Sequence, residues 1–387
     1  MGMKDLIKFE LYKIFSKKSV LALILICIIS SVLPSITDYL DMKEKGLKSY
    51  ENIKKVGQEY EGQVITDEKM DYLEKKGLQI REKDNKGEYV TDKERVSAYG
   101  IYDFYMWVNP EYMINGSFYK FDDIKKEIDK LEKDGDIDTY EYKEFKYVHD
   151  LIEKKPIPKF YFKFGWEYAT EFNMNPLWIA ILIIVSICTI FSNEYQSNTA
   201  SIIFSSKNGQ GRLTLAKVIS GLLFSTIIFL VINGIQVAIM AMHGFDGWNL
   251  PLGFLPSYAR TPYIMNIGTF YMIGLLVSYI GVVLFTLVVM LVSLISKNDM
   301  ISFAINVVIL LGPGFLAKIM PTYMLTKIFM ELNIERLIGP ISMFGNISTY
   351  NIFGNPTLYL NVIVSIAILS IPIVLYLIYK LGKRQVV

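Results

Sequence analysis

IMNIGTFYMIGLLVSYIGVVLFTLVVMLVSLIS, residues Ile264 to Ser296, holds no charged side chain and is dominated by Ile, Leu, Val and Phe. A helix needs roughly 17 to 25 such residues to cross the hydrocarbon core of a bilayer. This stretch therefore reads as one span that tilts or extends beyond the lipid. Working outward, further apolar runs occupy Val20 to Ile36, Leu177 to Ser192, Leu213 to Met242, Met300 to Ile319 and Leu358 to Tyr379. The run at Val20 has 17 residues and the one at Leu177 has 16, at the short end of the crossing range. Six spans predict an all-α polytopic membrane protein. Its expected parts are an interfacial amphipathic helix at 1–18, a first transmembrane helix at 19–38, a small α-rich extracellular domain at 39–176, and a five-helix transmembrane region at 177–387.

Charge orients the chain, because short cytoplasmic segments retain Lys and Arg. With the N-terminus inside, the inner segments carry 12 basic side chains, among them Lys13, Lys17, Lys207, Arg212 and Lys217. They carry four acidic ones, Asp5, Glu10, Glu194 and Asp299, for a net +8. The block from Asp38 to Pro176 holds 24 basic and 31 acidic residues, a net −7. The formal net charge of +2 thus conceals a strong polarity, with both termini cytoplasmic and the block outside. A cleaved leader fits poorly, since 18 residues precede Ser19 and no small-x-small site follows the first run. Ile26 stands before Cys27 where a lipoprotein signal needs a small residue, and both cysteines, Cys27 and Cys188, fall inside spans. The outer block therefore has no disulfide framework. An Ile-, Lys-, Asn- and Tyr-rich composition suits an AT-rich bacterial genome, and a bacterial cytoplasmic membrane is the expected location.

Two inner segments are patterned. In the first, Met3, Leu6, Ile7, Leu11, Ile14 and Phe15 recur at helical spacing with lysines mostly opposite, interrupted by Phe9 and Tyr12. Such a helix lies in the membrane interface. In the second, at 193–212, Asn198 and Thr199 are expected to open a short helix bearing Ile202, Ile203 and Phe204, ended by Asn208-Gly209. Exposed apolar residues on a short polar segment mark a docking element for a partner protein.

With an interfacial helix, six spans, and Glu194, Asn198-Thr199, Ile202-Ile203-Phe204, Ser205-Ser206, Arg212 and Lys217 in that order, the chain resembles the membrane subunit of a type-2 ABC exporter. The resemblance covers the N-terminal 38 residues and everything from about Leu177 onward, with Asn198 where the family has Gly. It implies that these residues couple to a separate P-loop ATPase, with two permease chains, identical or related, and two ATPase copies in the working unit. ATP and Mg would be bound by the partner. This chain is not expected to be an enzyme or to hold a cofactor. Its nearest glycine loop, Asn208-Gly209-Gln210-Gly211-Arg212-Leu213-Thr214, lacks Gly-Lys-Ser/Thr and follows no strand. No His-Glu-x-x-His, Ser/His pair or carboxylate dyad sits in the spans. A nucleic-acid partner is not expected.

The spans are expected to hold almost no ionisable group, unlike ion-coupled transporters. Their strongly polar residues are Asn233, Gln236, Asn306 and Asn361, of which the first three mark a possible substrate path. Asn233 and Gln236 share a face and suit either substrate contact or interhelical hydrogen bonding. A largely apolar conduit fits an amphiphilic cargo such as an antimicrobial peptide, a lipid-like molecule or a drug. Gly312-Pro313-Gly314 and Pro372 are sites where a helix can kink. At 321–357, Leu325, Ile328, Phe329 and Leu332 predict an amphipathic helix followed by a loop at the outer interface.

In the outer block, helices are expected at Asp41 to Glu61, Asp67 to Lys76 and Asp122 to Lys133, with Gly62 and Gly77 as stops. A turn at 84–87 can join two strands. The aromatic cluster Tyr99 to Trp107 suits a domain core, a peptide site or a membrane contact, and Phe160 to Trp166 suits an interfacial belt. The acidic stretch Glu132 to Glu144 has Ile137 and Lys143 where a calcium loop needs Gly and Glu, so it reads as a solvated turn. His149 and His243 read as isolated. A second functional reading remains: a membrane sensor or scaffold whose outer domain detects a ligand and whose cytoplasmic helix recruits a partner.

Overall fold

The computed structural model describes residues 2–41, 58, 61–64, 66–88, 121–154, 159, 161, 166, 175–199, 211–243, 245, 247–255, 258, 261–320, 323–345 and 347–384. Helix α1 (Met3–Phe15) starts where the Gly2 amide donates to Asp5 Oδ2 at 3.0 Å, which satisfies one free N-terminal donor. A bend of 67° leads into α2 (Lys18–Asp41). Outside the apolar runs stand α3 (Asp67–Asn85), α4 (Phe121–Asp134) and α5 (Tyr140–Glu153). The bundle continues with α6 (Asn175–Ile187), the short α7 (Ser192–Gln196), α8 (Gly211–His243), α9 (Ile267–Ser296) and α10 (Asp299–Ile319). Helices α11 (Tyr323–Glu331) and α12 (Ile334–Ile338), an antiparallel hairpin of β1 (Thr349–Ile352) and β2 (Asn355–Leu358), and α13 (Tyr359–Arg384) complete the described chain.

The described chain is mostly helical and has the architecture of a multi-pass membrane protein. Five of its helices are long and apolar enough to cross a membrane, and the bent pair α1–α2 makes a sixth if it counts as one span. Helix α9 lies at the centre, packed against α6, α8, α10, α12 and α13. Val282, Phe285 and Val289 recur along it at helical spacing and are fully buried. The outward faces stay apolar: Leu25 and Leu33 on α2, Leu230 on α8, Val308 and Phe315 on α10, and Leu369 and Ile373 on α13 are exposed. Large apolar side chains in such number are stable against hydrocarbon but costly in water.

The sequence elements that charge placed on one side fall at one end of the bundle. There α1 packs on α8, and a cation–carboxylate cluster joins α1, α7 and α8. At the opposite end, Thr349 Oγ1 of β1 donates to Glu144 of α5, so the described helical hairpin of the outer block sits on the segment before α13. Lys327 donates to the Thr349 carbonyl at 2.9 Å, and Ser348 and Tyr350 donate to Glu331 at 3.0 and 2.7 Å. The two charges that interrupt the apolar face of α11 thus clamp the β-hairpin.

Several expectations are corrected. Gly77 is buried within α3 and does not stop it; Glu74, Lys75, Lys76, Leu78 and Gln79 favour helix enough to offset about 1 kcal/mol for one glycine. The helix ends ten residues later at Gly87, whose φ of 68° lets the Glu88 amide reach the Lys83 carbonyl. The residues before that turn are helical, so it joins no strand pair. The all-α expectation also missed the β-hairpin, which turns at Phe353-Gly354 with φ of 51° and 81°. Pro313 and Pro372 lie inside the helices α10 and α13, which continue past them; a kink is a matter of bend angle, and this continuity does not contradict the expected ones. The stretch Glu132 to Glu144 forms the turn of a helical hairpin, closed where Tyr142 OH donates to Glu132 at 2.9 Å. Of the stretch Phe160 to Trp166, Trp166 is buried beside Phe245 and Tyr271, and Phe160, Phe162 and Phe164 fall outside the described residues. The expected helix at Asp41 to Glu61 falls almost wholly outside the described residues, and the cluster Tyr99 to Trp107 falls entirely outside them.

One glycine fixes how closely α12 approaches α9. A Cβ at Gly281 would lie 2.7 Å from the carbonyl carbon of Leu337, and backbone cannot yield as a flexible side chain does. At Gly274, two turns earlier, a Cβ would meet nothing within 4 Å. Gly281→Ala is expected to cost about 1 to 3 kcal/mol through overpacking, read as a lower melting temperature in detergent, whereas Gly274→Ala leaves the melting temperature unchanged.

Candidate functional site

Helix α6 ends at Ile187, and the chain turns through 188–191 before α7 resumes. A helix end in an apolar bundle leaves carbonyls that need donors. Lys17, between α1 and α2, supplies its ammonium to the Ser186 carbonyl at 3.4 Å and to Thr189 Oγ1. Lys217, in the second turn of α8, donates to the Ile190 carbonyl. Ser293 of α9 accepts from the amides of Phe191 and Ser192 at 3.1 and 3.2 Å, and Ser192 Oγ donates to Asp299 at the start of α10. The break between α6 and α7 is thus held from four sides.

Lys217 is only 1% exposed. A buried ammonium must be matched by opposite charge. Its Nζ lies 2.7 Å from Glu194 Oε1 and 3.7 Å from Glu10 Oε2, with the Phe191 ring centroid 5.2 Å away. Lys13 Nζ lies 3.0 Å from Glu10 Oε1 and 3.9 Å from Glu194 Oε1. Lys13, Glu10, Lys217 and Glu194 therefore form a closed ring of alternating charge whose sum is zero. The ring joins α1, α7 and α8. Glu10 is 2% exposed, on the face of α1 that packs on α8, while Phe9 and Tyr12 are exposed. This explains why the apolar stripe of α1 is interrupted. The Ser220 hydroxyl donates to the Ile7 carbonyl at 3.1 Å, and Phe15 meets Phe224 edge-on at 5.1 Å.

The structure brings two of the sequence-selected coupling residues, Glu194 and Lys217, into direct contact. Asn198 takes φ 54°, a left-handed conformation that asparagine tolerates, and closes α7: the Thr199 amide reaches the Glu194 carbonyl at 3.1 Å. Neither Asn198 nor Thr199 opens a helix within the described residues. Arg212 is exposed at the start of α8. Ile202, Ile203 and Phe204 lie outside the described residues. Lys217 also corrects the expectation of spans nearly free of ionisable groups, since it sits inside a helix long and apolar enough to cross. Glu10 and Lys13 were missed as site residues; the signal was a glutamate among the apolar positions of an amphipathic helix.

At the other end, α6, α8, α9 and residues 338–345 enclose a cavity of about 510 Å³. Asn233 lines it, its Nδ2 donating to the Phe229 carbonyl at 2.9 Å. Gln236 accepts from Nδ2 of Asn175, another lining residue, at 3.1 Å and so bonds α8 to α6. Asn306 is remote from this cavity, buried on α10 with its Nδ2 on the Ser302 carbonyl at 2.8 Å. His149 is not isolated: it, Asp150 and Glu153 can bring one ligand atom each within 4.8 Å of the others. Both acids are exposed, and the group stands on one turn of α5.

Removing one member of a buried charge ring leaves the others unmatched. Lys217→Met strands two carboxylates against one lysine and is expected to lose about 3 to 5 kcal/mol of stability. Lys217→Met with Glu194→Gln restores neutrality and should regain much of the loss. Thermal unfolding of the three proteins in one detergent checks both outcomes.

Comparison of the chain with family models, with curated proteins and with solved structures finds no match. Its functional reading rests on its own pattern and geometry.

Proposed function

We propose that the chain is the membrane-spanning permease subunit of an ATP-driven exporter. The observation that carries this reading is the charge ring of Glu10, Lys13, Glu194 and Lys217. It fastens the N-terminal amphipathic helix and the root of the polar segment 193–212 to the first turns of α8. A force applied to that segment by a partner is transmitted through the ring to α1 and α8 together. Glu194 and Lys217 act as positioning residues, and the apolar side chains Ile202, Ile203 and Phe204 are the docking contacts. The sequence carries no Gly-Lys-Ser/Thr phosphate loop, and this reading assigns ATP hydrolysis to a separate P-loop ATPase, with two copies serving two permease chains. The cargo is an amphiphile such as an antimicrobial peptide, a lipid-like molecule or a drug. Six crossings of a bacterial cytoplasmic membrane put both termini and the ring inside and place residues 39–176 and 321–357 outside, following the retention of lysine and arginine.

Purification of the tagged full chain from its native cells in mild detergent, with mass spectrometry of its companions, tests the reading. A stoichiometric P-loop ATPase is expected, and Phe204→Asp should remove it while the chain stays folded and inserted. An intact, folded chain with no ATPase contradicts the exporter and favours the sensor or scaffold reading.

A further inference from the structure

We infer that the cavity between α6, α8, α9 and residues 338–345 is a binding site for an uncharged, drug-sized molecule with an aromatic body and one amide or hydroxyl group. Its volume of about 510 Å³ falls within the range of small-molecule sites. No charged side chain is among the described residues that line it. A charged ligand meets no opposite charge among those described lining residues, which is unfavourable in an apolar bundle.

The walls divide by chemistry. Tyr271 provides a part-exposed ring surface for an aromatic body, and the buried rings of Tyr258 and Phe270, packed on each other, back the same wall. Hydrogen-bonding capacity remains on the α8 side. Asn233 uses one amide hydrogen on the Phe229 carbonyl, and its Oδ1 accepts no hydrogen bond among the described residues. One turn further along α8, behind the lining residue Asn175 that donates to it, Gln236 is buried and its Nε2 has no acceptor among the described residues. A buried amide group left unbonded is costly and marks a place where a ligand group or water completes the network. Ser278 and Tyr258, by contrast, are already committed, donating to the carbonyls of Ile338 and Ile341. They hold the 338–342 wall in place and leave the asparagine as the recognition group.

Gly274 shows that this space is a cavity open to a side chain. It lines the cavity and is buried, yet a Cβ built on it meets nothing within 4 Å. The site also stands apart from the charge ring. Asn175 and Ile190 are separated by about four turns of chain, on the order of 20 Å along a helix. The two sites are therefore tested by separate measurements, and failure of one leaves the other standing.

Photolabelling of the purified full chain in lipid nanodiscs tests the site. The probe is 4-benzoylbenzamide, which is neutral, aromatic and carries an amide; 4-benzoylbenzoate has the same body with a negative charge. The amide is expected to label peptides from α6, α9 and 338–345 in a saturable manner, and the carboxylate to leave them unlabelled. Gly274→Phe, which places a ring in the cavity, should lower saturable labelling about tenfold or more, equivalent to about 1.4 kcal/mol. Asn233→Leu should lower it about fivefold, the effect of one neutral hydrogen bond, whatever the folding of the first variant. Labelling confined to the outward faces of α10 and α13, equal labelling by both probes, or labelling unchanged by both substitutions overturns the inference.

Discussion

The burial of Lys217 is the constraint on which one end of the molecule depends. An ammonium 1% exposed within an apolar helix is tolerable only because two carboxylates and a backbone carbonyl converge on it. Those carboxylates come from α1 and α7, and Lys13 closes the ring by matching the charge that would otherwise be in excess. Such a ring adds little net stability over a well-packed apolar cluster, because desolvation offsets the attraction. Its contribution is to exclude other arrangements: α1 cannot slide or rotate on α8 without leaving a buried charge unmatched.

The break after α6 follows from the same requirement. Lys17 and Lys217 satisfy the Ser186 and Ile190 carbonyls, while Ser293 and Asp299 bind the groups that resume the helix. The polar segment beyond α7 therefore emerges from a fixed root. At the far end, neutral hydrogen bonds join Asn175 of α6 to Gln236 of α8 and Ser278 of α9 to the Ile338 carbonyl of α12, beside a cavity with no charged side chain among its described lining residues. Charged groups thus pin segments at both ends, through the ring at one and through Lys327 and Glu331 at the other, while neutral groups border the cavity.

Much of this was legible in the sequence. The long apolar runs located the membrane-length helices to within a few residues, because burial in lipid leaves no alternative pattern. The spacing of Ile124, Ile128 and Leu131 located α4. Gly77 misled because tertiary packing and strong helix formers override one glycine, whereas Gly87 ends the helix through backbone geometry. The β-hairpin was missed because Phe353-Gly354 is an unusual turn pair and Pro356 lies within a strand. The order Glu194 to Lys217 suggested a shared role, but their direct contact, and the joining of Lys217 to Glu10 by the fold of α1 onto α8, are not features that periodicity can supply.

Competitive labelling of lysines with acetic anhydride in the folded full chain, followed residue by residue by mass spectrometry, tests the ring most directly. Lys217 should react far more slowly than the exposed Lys4 and Lys8 and reach their rate only on unfolding. Reaction of Lys217 at the rate of Lys4 in the folded protein would show that its ammonium is not buried among Glu10, Glu194 and Ile190, and the account of how α1, α7 and α8 are joined would be wrong.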